Sequence, residues 1–242
     1  MIEIYTCTCN MCCKTPFKMN NECPDFEFSD FVEAVEAASS SLRGGHIIAV
    51  PTDTIYGIAG LSQHSEAIEK IYNIKRRDLN KPIAISVADI DDIFRWCHVT
   101  VSKTLLSELL PGPVTLVFQR TNELNPELNP NTPLVGVRIP DNKFIRSVAR
   151  ACDSPLALTS ANISAAQSTL NVQEFEDLWP KLDKVFDGGA LGDTFHSRQG
   201  STVVDLSTQG KYKVIRDGRY LKKNCYTIKK QCYIFMFLFL RN

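Results

Sequence analysis

The residues best suited to bind phosphate are four cations within seven positions, Lys75, Arg76, Arg77 and Lys81. The apolar periodicity before them predicts a helix, so the first three lie at its C-terminal end and Lys81 lies in the loop before the next strand. One or two cations there would complement the helix dipole, but four exceed that need. Arginine forks a phosphate through parallel N–H donors and lysine adds a compact charge, so the cluster predicts a polyphosphate site.

Small polar side chains follow two predicted strands. Thr52, Asp53 and Thr54 come after a short apolar strand, and Ser160 and Asn162 come after another. Open α/β sheets place their ligands where strands end, so both groups are candidates for ligand binding. Taken alone, the first group is equally typical of a turn in which hydroxyl and carboxylate oxygens cap backbone amides.

Three more polar residues lie beside predicted strands. Arg138 lies between valine and isoleucine at the end of one strand, Ser201 begins another, and Arg216 ends a third before Asp217 and Gly218. An arginine among apolar residues is normally partnered, and a structural salt bridge or a substrate carboxylate would serve equally well. Both interpretations of Arg138 remain open at this point.

The familiar nucleotide and hydrolase motifs are missing from the sequence. There is no Walker loop, no dinucleotide fingerprint, no paired-histidine zinc motif and no nucleophile-elbow serine. Lysine plus arginine equals aspartate plus glutamate, 27 against 27, so no global positive field favours duplex nucleic acid. Any phosphate must therefore be held locally, by side chains.

Strands and helices alternate along the chain, which predicts a single α/β domain over about residues 27–222 with a twisted, mixed parallel and antiparallel sheet. Asp30 and Glu33 form a capping-box pattern at the start of the first helix. Strands are predicted at 46–50, 82–87, 114–119, 135–139, 156–159, 201–205 and 212–215, and helices at 30–43, 65–75, 102–110, 142–151 and 172–178. The Asn/Pro-rich stretch 121–133 is expected to be a surface loop.

Both ends of the chain are predicted to lie outside that domain. Residues 1–26 contain few apolar residues and five cysteines, and we expect a disordered tail. Cys9 and Cys12 have the spacing of a zinc knuckle, but a second ligand pair is lacking. The tail at 223–242 includes an apolar run that is about half the ~20 residues needed to cross a bilayer. Without a signal peptide, reduced thiols in the cytoplasm are expected.

These segments, in this order from about residue 35 to residue 218, resemble the YrdC-like family of threonylcarbamoyl-AMP synthases. The resemblance implies a deep, locally positive cleft that holds ATP, Mg²⁺ and L-threonine. It also implies that threonine captures bicarbonate, that the carbamate attacks the α-phosphorus of ATP, and that pyrophosphate leaves. The product would pass to a KEOPS-like complex for threonylcarbamoyladenosine (t6A) modification of tRNA, and family members occur in the cytoplasm and as mitochondrial isoforms.

The resemblance also assigns roles to residues of this chain. The nucleotide site would comprise Lys75, Arg77, Lys81, Ser160, Asn162 and Arg216, with Lys75 and Arg77 as the catalytic cations, and the threonine pocket would comprise Thr54, Ser86, Arg138 and Ser201. No residue of the chain is expected to form a dedicated metal site. The sequence departs from the usual family pattern at Asp78 and Asp217, where many members have proline.

Two other functions remain open. A non-catalytic RNA-binding module would suit the basic cluster, although aromatic residues are not interleaved with its cations. An enzyme that forms carbamoyl adenylate from carbamoyl phosphate would suit the same cleft, and the resemblance extends to the related domain of hydrogenase-maturation carbamoyltransferases.

Overall fold

Eleven strands form one mixed sheet in the computed structural model of the chain, which describes residues 2–6, 28–75, 81–163 and 166–219. The strands are β1 (Glu3–Thr6), β2 (Ile48–Val50), β3 (Gly57–Leu61), β4 (Ala84–Ser86), β5 (Cys97–His98), β6 (Val114–Arg120), β7 (Leu134–Arg138), β8 (Leu156–Ser160), β9 (Lys184–Asp187), β10 (Thr202–Asp205) and β11 (Lys213–Arg216). Their order is β1-β9-β2-β3-β8-β4-β7-β6-β10-β11, with β5 paired to β6. The predicted α/β fold with a mixed sheet is confirmed.

Parallel and antiparallel pairs are mixed within the sheet. The pairs β1–β9, β2–β9, β4–β7 and β6–β10 are parallel, and β2–β3, β3–β8, β4–β8, β6–β7, β5–β6 and β10–β11 are antiparallel. Residues that are far apart in the sequence therefore come together at both ends of the strands.

Five α-helices flank the sheet: α1 (Phe28–Arg43), α2 (Ser65–Lys75), α3 (Ile90–Trp96), α4 (Lys103–Leu109) and α5 (Lys143–Cys152). Ser102 and Asn142 cap α4 and α5 by accepting from the amides of Leu105 (3.1 Å) and Ile145 (3.2 Å). Two 3₁₀ segments follow at Val172–Lys181 and Phe195–Arg198. None of the helices in the described residues is long and apolar enough to cross a membrane.

Two buried clusters lie on the two faces of the sheet. Alternating residues of one strand belong to different clusters: Ala49 belongs to the cluster that includes residues of α2, α3 and α4, whereas Ile48 and Val50 belong to the cluster that includes residues of α1 and α5. This alternation follows from the period of two in a β-strand. The helices α1 and α5 also pack against each other, so they cover one face as a pair.

The structure departs from the predicted elements in several places. Helix α1 begins at Phe28, so Asp30 lies within its first turn. The segment predicted as an α-helix at 172–178 is 3₁₀, and Phe175 interrupts it with φ −132° and ψ 29°. Strands β1, β3, β5 and β9 and helix α3 were not predicted, because each is short and carries no clear apolar period.

The predicted disordered tail over 1–26 is corrected at Glu3–Thr6, which forms the edge strand β1. Tyr5 stacks on Phe186 with ring centroids 5.0 Å apart, and Lys184 pairs with Glu3. A parallel ladder and one aromatic contact hold this strand, and neither leaves a periodic signal in so short a segment. The rest of that tail, with Cys9 and Cys12, and the tail at 223–242 lie outside the described residues.

Candidate functional site

A cavity of about 570 Å³ lies over one face of the sheet, between β3, β8, β4, β7, β6, β10 and β11. Its walls contain residues from distant parts of the sequence, which only the sheet brings together. Four residues predicted for the site line it: Arg138, Ser160, Ser201 and Arg216. The remaining wall is largely apolar, with Ile55, Ile83, Val117, Leu134, Leu158, Val203 and Ile215. A mostly apolar cleft with a few convergent polar groups is typical of a small-molecule site.

The cavity spans the length of the strands and is not confined to one end of them. Strand β8 runs antiparallel to β4, so Ser160 and Ser86, which end these strands, lie at opposite ends of the strand pair. Ser86 pairs in register with Arg138 of β7, which places that arginine at the same end of the strands as Ser86. The cavity therefore extends along the strands, with Ser160 near one end and Arg138 near the other.

Arg138 is paired with Asp53, and the two side chains are only 8% and 9% exposed. Guanidinium Nη2 donates to carboxylate Oδ1, while Asp53 Oδ2, Arg138 Nε and the neighbouring Ser86 Oγ have no hydrogen-bond partner. Buried polar atoms of this kind are normally satisfied. The salt-bridge interpretation of Arg138 thus holds in the structure, and Arg138 also lines the cavity.

Ser201 is the centre of a second polar group. Its Oγ lies 2.8 Å from Thr115 Oγ1, and Arg216 Nη2 donates to both Ser201 O (2.8 Å) and Ser201 Oγ (3.2 Å). A Cβ at Gly218 would overlap the backbone of Ser201, so the close approach of these two segments requires glycine at position 218. Arg216 is held through the serine while its side chain still lines the cavity.

Lys75 is 2% exposed and lies behind the cavity wall. Its Nζ donates to Ser160 O (2.6 Å), Ser160 Oγ (3.3 Å) and Asn162 Oδ1 (3.0 Å), and also to Asn162 O. Ser160 Oγ is in turn bonded to Asn162 Oδ1. The lysine ammonium therefore fixes the end of β8 and places a buried positive charge next to the cavity.

The turn at Thr52 has the local geometry expected of a capping residue. Thr52 Oγ1 accepts from the amides of Thr54 (3.1 Å) and Ile55 (3.3 Å) and donates to Ile55 O (2.7 Å). Thr54 and Ser86 are fully buried, and neither lines the cavity. Their assignment to the threonine pocket stays a prediction, as does the role of every residue assigned above.

The predicted nucleotide cations are placed unequally. Lys81 is exposed and does not line the cavity, and Asn162 contributes through its bonds to Lys75 and Ser160. Arg77, with Arg76 and Asp78, lies outside the described residues. The structure therefore brings Lys75, Ser160 and Asn162 together, and separately Ser201 and Arg216.

Tyr56 anchors the turn that carries Asp53. Its hydroxyl lies 2.8 Å from Gly189 O and 3.1 Å from Asp187 Oδ1, and it accepts from Gly188 N at 2.9 Å. Burial, followed by the charge of Asp187, raises the pKa of this phenol far above its usual value. Tyr56 is therefore a neutral structural donor at physiological pH.

Two residues that contact predicted site residues were not themselves assigned to the site: Asp53, which pairs with Arg138, and Thr115, which bonds Ser201 and lines the cavity. Asp53 belonged to a group that was equally typical of a turn, and Thr115 was predicted as part of the strand 114–119. The signal for Asp53 was a carboxylate next to a buried strand, but nothing in the sequence pairs it with Arg138. Thr115 precedes a run of apolar strand residues and carries no separate signal.

The donor set offers little for a metal ion held by protein alone. No group of three His, Cys, Asp or Glu side chains that could hold a metal occurs in the described residues. Among the described residues that line the cavity, Asp217 is the one carboxylate. Such a wall fits Mg²⁺ that is carried by substrate phosphates and water, because Mg²⁺ often takes only one or two protein carboxylates.

Comparison with known proteins agrees with this architecture. Curated threonylcarbamoyl-AMP synthases of Bos taurus and Homo sapiens are 52% and 51% identical over 194 residues, which is 79% of this chain and 70% of each relative. The structure of Pyrococcus abyssi Sua5 complexed with L-threonine superposes with a TM-score of 0.70 at 25% identity, covering 78% of this chain and 54% of that longer chain. Escherichia coli YciO, at 23% identity, shares the fold with a TM-score of 0.69, over 78% of this chain and 90% of its own. The family model described as "Telomere recombination" matches residues 40–218, and the chain belongs to this Sua5/YciO/YrdC family.

Proposed function

We propose that this chain is a threonylcarbamoyl-AMP synthase, a nucleotidyltransferase that makes L-threonylcarbamoyladenylate for t6A modification of tRNA. The observation that carries the proposal is the joint presence of Arg138, Ser160, Ser201 and Arg216 on the walls of one cavity. Relatives at about half identity carry the same name, and a family structure is described as complexed with L-threonine.

The reaction would join three substrates in two bond-forming steps. The amine of L-threonine attacks bicarbonate, an N–C bond forms, and water is lost to give the carbamate. A carbamate oxygen then attacks the α-phosphorus of ATP, and the bond to the leaving pyrophosphate breaks. Negative charge moves onto the pyrophosphate, so catalysis depends on positioning and charge neutralisation.

Different residues of the cavity suit the two substrates. Arg138 has donors suited to the threonine carboxylate, with Ser86 Oγ and Asp53 Oδ2 as nearby unsatisfied atoms. Ser160, Asn162 and Arg216 would contact the nucleotide, and Lys75, Arg77 and Lys81 would supply charge for its phosphates. Lys75 would act from behind the wall, through a field that low dielectric strengthens.

Magnesium is proposed as the ion that accompanies ATP. Asp217, which lines the cavity, would help to hold it, and when bound it would neutralise charge on the leaving pyrophosphate. The product would pass to a separate KEOPS-like complex, and we propose a cytoplasmic location.

The decisive test is the dependence of pyrophosphate release on the substrates, with the product identified by mass spectrometry. We expect release only when ATP, L-threonine and bicarbonate are all present. Release that needs no threonine would contradict the proposal, carbamoyl phosphate replacing bicarbonate and threonine would indicate carbamoyl-adenylate synthesis, and salt-sensitive RNA binding without turnover would indicate an RNA-binding module. Arg77→Ala should largely abolish release, and Arg77→Lys should not restore it, because a point charge does not replace a fork.

A further inference from the structure

Two short segments outside the strands line the cavity, and each touches a residue assigned to the nucleotide. The first, 166–171, contributes Ser168 to the wall, and its Ala166 O accepts from Asn162 Nδ2. The second, 199–201, contributes Gln199, Gly200 and Ser201, and Ser201 O accepts from Arg216. The relative position of these two segments therefore sets the shape of the cavity wall between them.

Arg198 joins the two segments. It directly precedes Gln199 in the chain, and its Nη1 donates to Ser168 O at 2.8 Å. The same guanidinium forks the carboxylate of Glu174, with Nη1–Oε2 at 2.5 Å and Nη2–Oε1 at 3.0 Å. The Arg198 side chain thus binds a backbone carbonyl of the first segment, and the Arg198 backbone leads directly into the second segment.

Glu174 holds the same first segment from the other side. Its Oε2 accepts from Leu170 N at 3.2 Å and its Oε1 accepts from Asn171 Nδ2 at 2.8 Å. The hydrogen bonds from Arg198, more than any other contact, keep the pKa of this carboxyl below its usual value, so it is ionised at physiological pH. Leu170 O also accepts from Leu191 N at 2.9 Å, so the segment is tied in at several points.

A surface ion pair by itself contributes little, because water screens it and two long side chains must be ordered. The Arg198–Glu174 pair differs in geometry, since it is bidentate, is only 27% and 26% exposed, and each partner also bonds the backbone of the first segment. Its main effect is therefore on the placement of the wall and not on overall stability.

We propose that Arg198 and Glu174 form a positioning pair that aligns the segments 166–171 and 199–201 for nucleotide binding. The inference rests on the proposed function, because it takes Asn162 and Arg216 as nucleotide contacts. Neither partner of the pair lines the cavity, so both act through Ser168, Asn162 and Ser201.

The test compares Arg198→Met and Glu174→Gln with a matched pair elsewhere. Arg95 and Glu123 form an exposed ion pair at 3.2 Å and do not line the cavity, so Arg95→Met removes the same chemistry at a neutral place. Calorimetry should show ATP affinity falling about tenfold in Arg198→Met and remaining unchanged in Arg95→Met. Arg198→Lys should be intermediate, and the double variant should be no worse than Arg198→Met, because the two residues act as one unit.

Hydrogen exchange supplies a readout that does not depend on the reaction. The Leu170 amide should exchange faster in Arg198→Met and Glu174→Gln and should be unchanged in Arg95→Met. An unchanged ATP affinity in Arg198→Met, additive losses in the double variant, or an unchanged Leu170 amide would each overturn the positioning pair. If the wild type itself fails to bind ATP, the proposed function fails, while the exchange measurement still decides whether the pair holds the wall.

Discussion

The guanidinium of Arg138 is paired with the carboxylate of Asp53, 85 positions earlier in the chain, and both side chains are more than nine-tenths buried. A buried charge that loses its partner is costly, so each residue constrains the other. If threonine binds through its carboxylate, it must share or take over this guanidinium. Asp53 would then compete with the substrate as the internal anion.

Replacing Arg138 with Ala should weaken threonine binding far more than ATP binding. The substrate carboxylate would lose its fork, which costs a few kcal/mol and is on the order of a hundredfold in affinity. The nucleotide residues Ser160 and Asn162 lie at the other end of the cavity and should be little affected. Calorimetry with each ligand measures both affinities, and equal losses would indicate that Arg138 is only structural.

Asp53→Asn tests the competition from the other side. The asparagine keeps an oxygen that can accept from Arg138 but removes the opposing charge, so the guanidinium becomes more available to an anion. We expect threonine affinity to stay level or to rise by a few-fold. A loss of threonine affinity would mean that the Asp53 carboxylate itself contacts the substrate, for example the ammonium group of threonine.

Local chemistry in the sequence located four polar residues of the cavity wall, because polar residues beside apolar strands are informative wherever the sheet places them. Arg138, Ser160, Ser201 and Arg216 were found in this way. The pairing of Arg138 with Asp53 was not predictable, since no local signal links two residues 85 positions apart.

Strand direction was the other quantity that the sequence did not reveal. Ser160 and Ser86 both end apolar strands, but β8 and β4 are antiparallel, so the two serines lie at opposite ends of the strand pair. Lys75 has the periodicity of an exposed helix terminus, yet tertiary contacts to Ser160 and Asn162 bury it. Long-range pairing decides both features, and single-sequence patterns do not encode it.

Asn129 should be a main stabilising residue of the loop 121–133. It is 1% exposed, its Oδ1 accepts from Ile83 N (2.7 Å) and Tyr72 OH (3.2 Å), and its Nδ2 donates to Ile83 O (2.9 Å). Asn129→Ala leaves buried backbone groups unsatisfied and should cost about 3 kcal/mol, which lowers Tm by roughly 6 to 12 °C.

Asn129→Gly separates the side chain from the backbone at this position. Asn129 has a φ of 57°, which glycine adopts freely and alanine does not, so the glycine variant should be at least as stable as the alanine variant. Thermal unfolding of both variants and of Tyr72→Phe, which removes one of the three bonds, makes the comparison. An alanine variant clearly more stable than the glycine variant would contradict this account.

Lys75→Met should reduce turnover by about a hundredfold or more, because it removes a buried positive charge beside the nucleotide end and frees Ser160 and Asn162. Lys70→Met is the matched control on the same helix, since Lys70 Nζ donates to a backbone carbonyl, Gly45 O, at 2.9 Å and does not line the cavity. Pyrophosphate release and thermal unfolding are measured together. Equal turnover losses in the two variants would show that α2 needs its lysines for folding and not for catalysis.

Deleting residues 1–24 should lower stability while leaving turnover nearly unchanged. The deletion removes β1, with the Tyr5–Phe186 stack and the Glu3–Lys184 pair, and leaves β9 as the new edge strand. Aromatic pairs contribute about 0.5–1.5 kcal/mol and exposed ion pairs less, so Tm should fall by only a few degrees. Neither β1 nor β9 lines the cavity, so kcat/KM should stay within about twofold of the full chain. Thermal unfolding, steady-state kinetics and a zinc determination on both proteins decide the matter. Loss of folding together with loss of bound zinc would contradict the prediction and identify a metal-stabilised N-terminal segment.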